Sequence, residues 1–243
     1  FLTAGRCRAS ASISPMKEMY TPMTTAHKSR VLDMTRGDPF RLLLQFSLPL
    51  FCSNMLQQVY NLTDTALAGH LLGSAALAEI GATAALYGLI MNFAFGMNNG
   101  LALTVSRCFG AGEREGIRRA VGWMVTLSAA VSIVLTTVSL LGRGALLQVL
   151  QVPAEVWDGA AAYLTVILLG IPLTMLYNME AALLRAVGNS VTPLLFLLFS
   201  SVLNVGLDAA FMGPLGMGVR GAAVATVLAQ GISAVLGAVY LVR

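Results

Sequence analysis

Long apolar stretches, separated by short polar connections, fill the chain from residue 40 onward. Six of these stretches exceed 20 residues, and at 1.5 Å per residue each would cross a hydrocarbon core of about 30 Å. None shows the strict alternation expected of a membrane β-barrel strand. The pattern predicts an all-α membrane protein, a six-transmembrane-helix bundle, with spans at 40–63, 80–106, 120–141, 159–184, 191–212 and 221–242.

The composition agrees with a membrane protein and excludes two other classes. Apolar residues make up 57% of the 243 residues, charged residues 11%, and the mean hydropathy is +0.77. An ordinary soluble domain carries about 25% charged residues, and a disordered chain has low hydrophobicity. Residues 1–39 differ, because they are polar, basic and without a long apolar stretch. We expect them to form a disordered or spurious N-terminal tail.

The distribution of Lys and Arg predicts how the spans are oriented. If the N-terminus is cytoplasmic, 13 of the 15 Lys and Arg residues fall on the cytoplasmic side, and only Arg143 and Arg220 fall outside. The positive-inside rule then predicts that both termini are cytoplasmic. Basic cytoplasmic loops also explain the net charge of +4, so the charge does not indicate a nucleic-acid partner.

Two local features modify the simple six-span pattern. The connection at residues 142–158 is longer than the others and contains several Leu and Val residues. It predicts a short interfacial helix that ends near Pro153, with Trp157 at the level of the lipid headgroups. Within the fourth span, Pro172 predicts a break in the helix.

Polar residues in the first span share one helical face. At 100° per residue they fall within an arc of about 120°, and Asp64 lies near the outer end. The stripe predicts the wall of a hydrated cavity; the alternatives are hydrogen bonds between helices and, for Asp64, a simple helix-end carboxylate. The residues of this stripe are Asn54, Gln57, Gln58, Asn61, Asp64 and Thr65.

The last three spans also carry oxygen-bearing side chains. Asn204 and Asp208 lie four residues apart on the fifth span, where an amide oxygen and a carboxylate could bind a hard cation or share a proton. With no His or Cys nearby, Na⁺ or H⁺ is favoured over a transition metal. The alternative is one buried acid that a neighbouring helix satisfies. The other polar positions are Thr174, Tyr177 and Asn178 on the fourth span, and Thr226, Gln230 and Ser233 on the sixth, where Gly237 continues the same face.

Three segments of this sequence resemble the multidrug and toxic compound extrusion family of secondary transporters. They are LPLFCSNMLQQVYNLTDTALAGHLLGSAALA, VSRCFGAGEREGIRRAVG and LLRAVGNSVTPLLFLLFSSVLNVGLDAAFMGPLGMGVRGAAVAT. Members of that family have twelve spans in two six-helix lobes around a central cavity. The resemblance implies that residues 40–243 form the N-terminal lobe, located in the inner (plasma) membrane, and that the C-terminal lobe is a missing partner.

The resemblance also implies a function and a site. The function would be export of small amphipathic or cationic organic compounds, by alternating access and in exchange for Na⁺ or H⁺, with no catalytic residue and no other cofactor. Cation coupling would fall to Asp64, Asn178, Asn204, Asp208 and Thr226, and the last four would ligate Na⁺ if it is the coupling ion. The cavity wall would be formed by Asn54, Gln57, Gln58, Asn61, Gln230 and Ser233.

Two other functions are compatible with a membrane bundle that contains aspartates. A lipid-linked oligosaccharide flippase of the same superfamily would need basic residues in its cavity, and the span interiors contain no Lys or Arg. An intramembrane aspartyl protease would carry YD and GxGD motifs. Here Asp64 follows Thr63 and Asp208 follows Leu207, so neither motif is present.

Overall fold

The computed structural model describes residues 38–242, and every regular element in that range is helical. This confirms the predicted all-α membrane fold. The helices are α1 (Pro39–Leu72), α2 (Ser74–Gly110), α3 (Arg114–Leu141), α4 (Arg143–Val149), α5 (Trp157–Ala186), α6 (Val191–Met212) and α7 (Val219–Val242), with a 3₁₀ turn at Ala154–Val156.

A helix covers each of the six predicted spans, and α6 has the predicted bounds. The others extend further, by nine residues at the end of α1 and by six at the start of α2. In the described part of the chain, five helices are long and apolar enough to cross a membrane: α2, α3, α5 with its preceding 3₁₀ turn, α6 and α7. Helix α1 has the length, at 34 residues, but its polar stripe lowers its hydropathy.

The first two helices form a tight hairpin. Asp38 caps α1, because its carboxylate accepts a hydrogen bond of 3.0 Å from the backbone N–H of Phe40. A single residue, Gly73, joins α1 to α2 with φ of 87°, a conformation that glycine adopts without strain. The predicted tail up to residue 37 lies outside the described residues.

The connection before α5 contains the predicted short helix, but that helix packs inward. Helix α4 ends at Val149, four residues before Pro153, and its Leu147 is 1% exposed within the core. The predicted break at Pro172 is wrong, because α5 runs without interruption from Trp157 to Ala186. A proline removes one backbone hydrogen bond, and packing against neighbouring helices compensates for that loss in a bundle.

Helix α5 lies at the centre and contacts α2, α3 and α7. It runs parallel to α7, with Gly170 against Val227 and Gly237 against Glu180. A side chain at Gly170 would collide with the branched side chain of Val227, so the close approach of the helices requires glycine there. Helix α6 runs antiparallel to α7, and α1 packs mainly against α6. This arrangement brings polar residues of α1, α6 and α7 together.

Candidate functional site

The site begins with a polar contact between α6 and α7. The side-chain N–H of Asn204 donates to the hydroxyl oxygen of Thr226 at 3.4 Å, and that hydroxyl donates to the carbonyl of Ala222 at 3.0 Å. Asn204 and Asp208, one turn apart on α6, are both fully buried. The i,i+4 spacing that placed them on one face in the sequence therefore directs both into the bundle.

Helix α1 adds a second acid. Because α1 packs against α6, the carboxyl group of Asp64 lies close enough to that of Asp208 for the two to interact directly. Asp64 is half-buried. We call Asp64, Asn204, Asp208 and Thr226 the acidic cluster. It joins residues that are 162 positions apart in the sequence, counted from Asp64 to Thr226.

The acidic cluster contains several oxygens without a hydrogen-bond donor. Both carboxyl oxygens of Asp208, Oδ1 of Asp64 and Oδ1 of Asn204 are buried and have no hydrogen-bond partner among residues 38–242. In the same residues, the ion pairs involve only Glu115 with Arg118 and Arg119. A fully buried carboxylate next to a half-buried one, with no counter-charge, is costly. A proton or a hard cation would supply the charge that the cluster lacks.

Three tyrosines surround the acidic cluster, and the sequence patterns did not single them out as site residues. Tyr60 of α1 lies beside Thr226 and Asp64, Tyr87 of α2 lies beside Gln230, and Tyr163 of α5 is within electrostatic range of both aspartates. Tyr60 falls outside the polar arc of α1, which is why a search for polar stripes misses it. The sequence did contain one indication: Tyr60 lies four residues before Asp64, and residues at that spacing are neighbours on a helix.

Asn178 does not join the acidic cluster directly. Its side-chain N–H donates to the carbonyl of Thr174 at 2.8 Å, one turn earlier on α5. The hydroxyl of Thr174 donates to the side-chain oxygen of Gln230 at 2.6 Å. Within the described range, no hydrogen bond links Asn178 to Asn204, Asp208 or Thr226. The structure thus brings together Asn204, Asp208 and Thr226, three of the four predicted Na⁺ ligands. The fourth, Asn178, is bonded instead to Thr174, which contacts Gln230.

The predicted cavity wall divides into an open part and a buried part. On α1, Asn54, Gln58 and Asn61 are exposed, while Gln57 is half-buried and donates to Asn61 at 3.5 Å. These side chains face open space at the surface of the lobe. On α7, Ser233 is fully buried with an unpartnered hydroxyl, and Gln230 binds α5 as described above. Ser233 thus lies in the packed interior of this lobe and not on an open wall.

The donor set of the acidic cluster consists of oxygens alone. Among residues 38–242, no group of three or more His, Cys, Asp or Glu side chains could hold a metal ion. Carboxylate, amide and hydroxyl oxygens are the ligands that hard cations prefer. The unpartnered oxygens of Asp64, Asn204 and Asp208 fit such an ion, or a proton shared between the two carboxyl groups.

The chain is similar in sequence to one protein family and to several named proteins. The MatE family model matches residues 49–210. The probable multidrug resistance protein YpnP of Bacillus subtilis is 31% identical over 214 residues, which cover 88% of this chain and 48% of that protein. The probable multidrug resistance protein NorM of Thermotoga maritima is 30% identical over 196 residues, which cover 79% of this chain and 42% of that protein.

Solved structures also share this fold. An outward-facing multidrug resistance MATE family transporter of the MOP superfamily aligns with a TM-score of 0.79 and 28% identity, over 84% of this chain and 45% of that one. A MOP superfamily transporter from Pyrococcus furiosus aligns with the same TM-score of 0.79 and 29% identity, over 85% of this chain and 45% of that one.

The chain therefore spans about half the length of the relatives it matches. Their names describe multidrug resistance proteins and MATE transporters, which are multi-pass membrane proteins and not enzymes. The family match covers most of the six-span region and includes both aspartates of the acidic cluster. The protein belongs to the MatE family.

Proposed function

We propose that this chain is the N-terminal lobe of an antiporter that exports amphipathic organic compounds, cationic ones among them, in exchange for Na⁺ or H⁺. The observation that carries the proposal is the acidic cluster, in which both carboxyl oxygens of Asp208 and Oδ1 of Asp64 are buried without a hydrogen-bond partner. The names of the relatives, multidrug resistance proteins, support the class of substrate. The proposal includes no catalytic residue and no cofactor besides the coupling ion.

The acidic cluster would convert ion binding into movement of α1. With the site empty, the neighbouring carboxyl groups of Asp64 and Asp208 repel each other when ionised. A proton or Na⁺ removes that repulsion and draws α1 toward α6. If Na⁺ binds, oxygens of Asp208, Asn204 and Thr226 would hold it, and Asp64 would neutralise it from α1. Asn178 would contribute through a small movement of α5.

The open polar face of α1 would transmit that movement to the substrate. Asn54, Gln58 and Asn61 lie on the same helix as Asp64, between about 4 and 15 Å from it along the axis at 1.5 Å per residue. They are exposed in this lobe, where a second lobe would complete a central cavity. A shift of α1 on ion binding would change the contacts of these three side chains with a bound compound. Ion uptake would therefore favour outward release of the compound.

The flippase alternative receives less support from the geometry. A lipid-linked oligosaccharide carries a pyrophosphate, which is usually bound by Arg or Lys. In the described residues, no Lys or Arg forms an ion pair with Asp64 or Asp208, and Arg185 at the end of α5 turns toward Asn99 of α2. An oxygen-lined acidic site suits a cationic ion or substrate better than a pyrophosphate.

Transport in vesicles tests the proposed exchange. The complete transporter, reconstituted into liposomes, is loaded with a fluorescent lipophilic cation and given a Na⁺ gradient, a pH gradient or neither. We expect one of the gradients to accelerate movement of the dye against the ion flow, and an ionophore for that ion to abolish the acceleration. Equal dye movement under all three conditions would contradict coupled antiport.

A further inference from the structure

Arg185, in the last turn of α5, is a half-buried cation without an acidic partner. One of its N–H groups donates to the side-chain oxygen of Asn99 on α2 at 3.4 Å. Among residues 38–242 Arg185 forms no ion pair, and its remaining N–H groups have no hydrogen-bond partner. A guanidinium group is always charged and is costly to withdraw from water without an anion. Arg185 therefore has the capacity to bind a negatively charged group.

Two side chains of α2 hold the guanidinium group of Arg185 in place. The side-chain N–H of Asn99 donates to the carbonyl of Phe95 at 2.7 Å, which leaves the oxygen of Asn99 to face Arg185. The ring of Phe95 lies 5.8 Å from the guanidinium carbon and is 47% exposed. Glu180, the acid nearest to Arg185 in the sequence, lies against Gly237 of α7 instead. The surroundings thus combine a fixed cation with an exposed aromatic ring.

Arg185 and Asn99 meet on the side of the lobe that α3 does not cover. On α2, Asn98 accepts a hydrogen bond of 2.8 Å from Ser128 of α3. Asn99 projects about 100° further round the helix, away from that contact. On α5, Arg185 shares a face with Asn178, since seven residues turn a helix to within about 20° of the starting direction. Both of these α5 side chains are half-buried.

That side is the groove between α1 and α2. Tyr60 of α1 lies beside Thr226 of α7, and Tyr87 of α2 lies beside Gln230, one turn further along α7. Helix α7 therefore lies between α1 and α2, and the bond from Thr174 to Gln230 places the adjoining face of α5 next to it. The exposed polar face of α1 forms one wall of this groove. Arg185 lies at the end of the groove that the positive-inside rule predicts to be cytoplasmic.

We propose that Arg185, Phe95 and Asn99 form a carboxylate-binding subsite at the cytoplasmic end of the substrate cavity. The inference rests on the proposed function, because it places the subsite in the path of an exported compound. An aromatic carboxylate would accept two parallel hydrogen bonds from the guanidinium group, and its ring would lie against Phe95. A single guanidinium group matches the single charge of a carboxylate, whereas a pyrophosphate carries more charge than one arginine neutralises.

Two dyes that differ in one group test this subsite in the complete transporter. The first is an amphipathic xanthene dye with a free aromatic carboxylate, and the second is its methyl ester, which keeps the same cationic ring system. Efflux from liposomes is measured as a function of dye concentration under the ion gradient that drives export. We expect the unmodified transporter to export both dyes. Arg185→Gln should raise the half-saturating concentration of the carboxylate dye about tenfold, as expected for the loss of a charge-assisted hydrogen bond.

The ester serves as the internal control, because its half-saturating concentration and its maximal rate should not change in Arg185→Gln. Arg185→Lys keeps the charge but loses the planar pair of donors, so it should weaken only the carboxylate dye, by a smaller factor. If Arg185→Gln fails to insert into the membrane, the Lys variant decides. Arg107→Gln removes an exposed arginine about two turns beyond Asn99 on α2 and should leave both dyes unaffected.

Several results would overturn the subsite. Export of the ester but not of the carboxylate dye by the unmodified transporter would exclude the subsite and leave the proposed function intact. Gradient-driven export of neither dye would contradict both. An equal loss for both dyes in Arg185→Gln would indicate a structural role or a contact with a second lobe, and no loss for either would show that Arg185 binds neither. Disappearance of the difference between the dyes when phosphatidylglycerol replaces phosphatidylcholine would assign Arg185 to a lipid phosphate.

Discussion

The chemistry of the acidic cluster depends on a few side chains whose surroundings differ sharply. Asp208 and Asn204 are fully buried, Asp64 is half-buried, and the contact between Asn204 and Thr226 at 3.4 Å holds α6 to α7. Asn204 uses its N–H in that contact, which leaves its oxygen free to face an ion. Thr226 therefore orients Asn204 in addition to offering an oxygen of its own.

Replacement of Thr226 by Val tests that orienting role. Valine keeps the shape of threonine but cannot accept the hydrogen bond from Asn204, and one such bond contributes about 1 kcal/mol. We expect the concentration of Na⁺ or H⁺ that half-activates efflux to rise about fivefold, with little change in the maximal rate. The measurement is efflux as a function of ion concentration.

The matched control for this change is Thr126→Val on α3. Thr126 is also a helical threonine bonded to a carbonyl one turn earlier, that of Gly122, but it is exposed and on a different helix from the cluster. It should leave ion activation unchanged. An equal effect of both substitutions would mean that Thr226 acts through general helix stability.

At this scale the sequence predicted the polar residues and missed their aromatic neighbours. Helical spacing placed Asn204 with Asp208, and Thr226 with Gln230, on single faces, and the structure has the same faces. Tyr60, Tyr87 and Tyr163 come from three different helices and surround the cluster. Which helices face one another follows from tertiary packing, and a wheel drawn for one helix contains no such information.

At the scale of helices, the close parallel packing of α5 and α7 holds the polar pair Thr174–Gln230 next to the acidic cluster. Gly170 lies directly against the side chain of Val227, and Gly231 of α7 lies near Leu173. Small residues at such contacts allow helix backbones to approach within a membrane, where packing replaces the hydrophobic effect as the main source of association.

Gly170→Ala should therefore destabilise the bundle. The added methyl group would overlap the branched side chain of Val227, and overpacking of this kind costs about 1–3 kcal/mol. Thermal unfolding in detergent should show a lower midpoint for this variant. Gly206→Ala on α6 is the control, since nothing lies within 4 Å of the added atom; it should be neutral or stabilising. A midpoint for Gly170→Ala at or above that of the unmodified protein would contradict the packing described.

Helix lengths show what hydropathy alone could predict. The pattern located all six long helices, and the bounds of α6 agree at both ends. It underestimated α1 and α2, because their ends carry residues such as Thr65, His70 and Glu79 that interrupt the apolar pattern without interrupting the backbone hydrogen bonds. It also overestimated the effect of Pro172, since the neighbours that stabilise α5 on both sides are distant in sequence.

At the scale of the whole molecule, most arginines of the described residues lie at one end of the bundle, and Arg143 and Arg220 lie at the other. The α2–α3 turn and the end of α5 lie at the same end, as the contact of Arg185 with Asn99 shows. The positive-inside rule predicts that this end is cytoplasmic. Reporter enzymes or accessible cysteines near Gly112 and near Pro153 should then fall on opposite sides of the membrane, with Gly112 inside. Both reporters on one side would contradict the topology.

The chain as a whole matches only about half the length of its relatives. The exposed polar face of α1, with Asn54, Gln58 and Asn61, occupies the side of the lobe that the interior packing leaves open. In a protein of two lobes such a face would line the space between them. The sequence predicted the polarity of this face and its distance from Asp64 along the helix, while its exposure came from the structure.

Loss of charge at the two aspartates tests the central claim most directly. Asp64→Asn and Asp208→Asn keep the shape of each side chain and its capacity for hydrogen bonds, but neither amide can gain or lose a proton and each binds a cation weakly. If the carboxyl groups only hold helices together, a neutral amide should serve as well in a medium that penalises charge. If they couple ions to transport, the amide variants lose the difference in ion binding between the loaded and empty states, so an ion gradient no longer shifts the protein between them.

The measurement is drug efflux under an imposed Na⁺ or H⁺ gradient in the complete transporter, with matched amounts of membrane-inserted protein. Asp158→Asn, near the start of α5 and outside the acidic cluster, is the control and should transport normally. We predict that Asp64→Asn and Asp208→Asn each abolish gradient-driven efflux while inserting normally. Efflux at the unmodified rate in both variants would contradict the account.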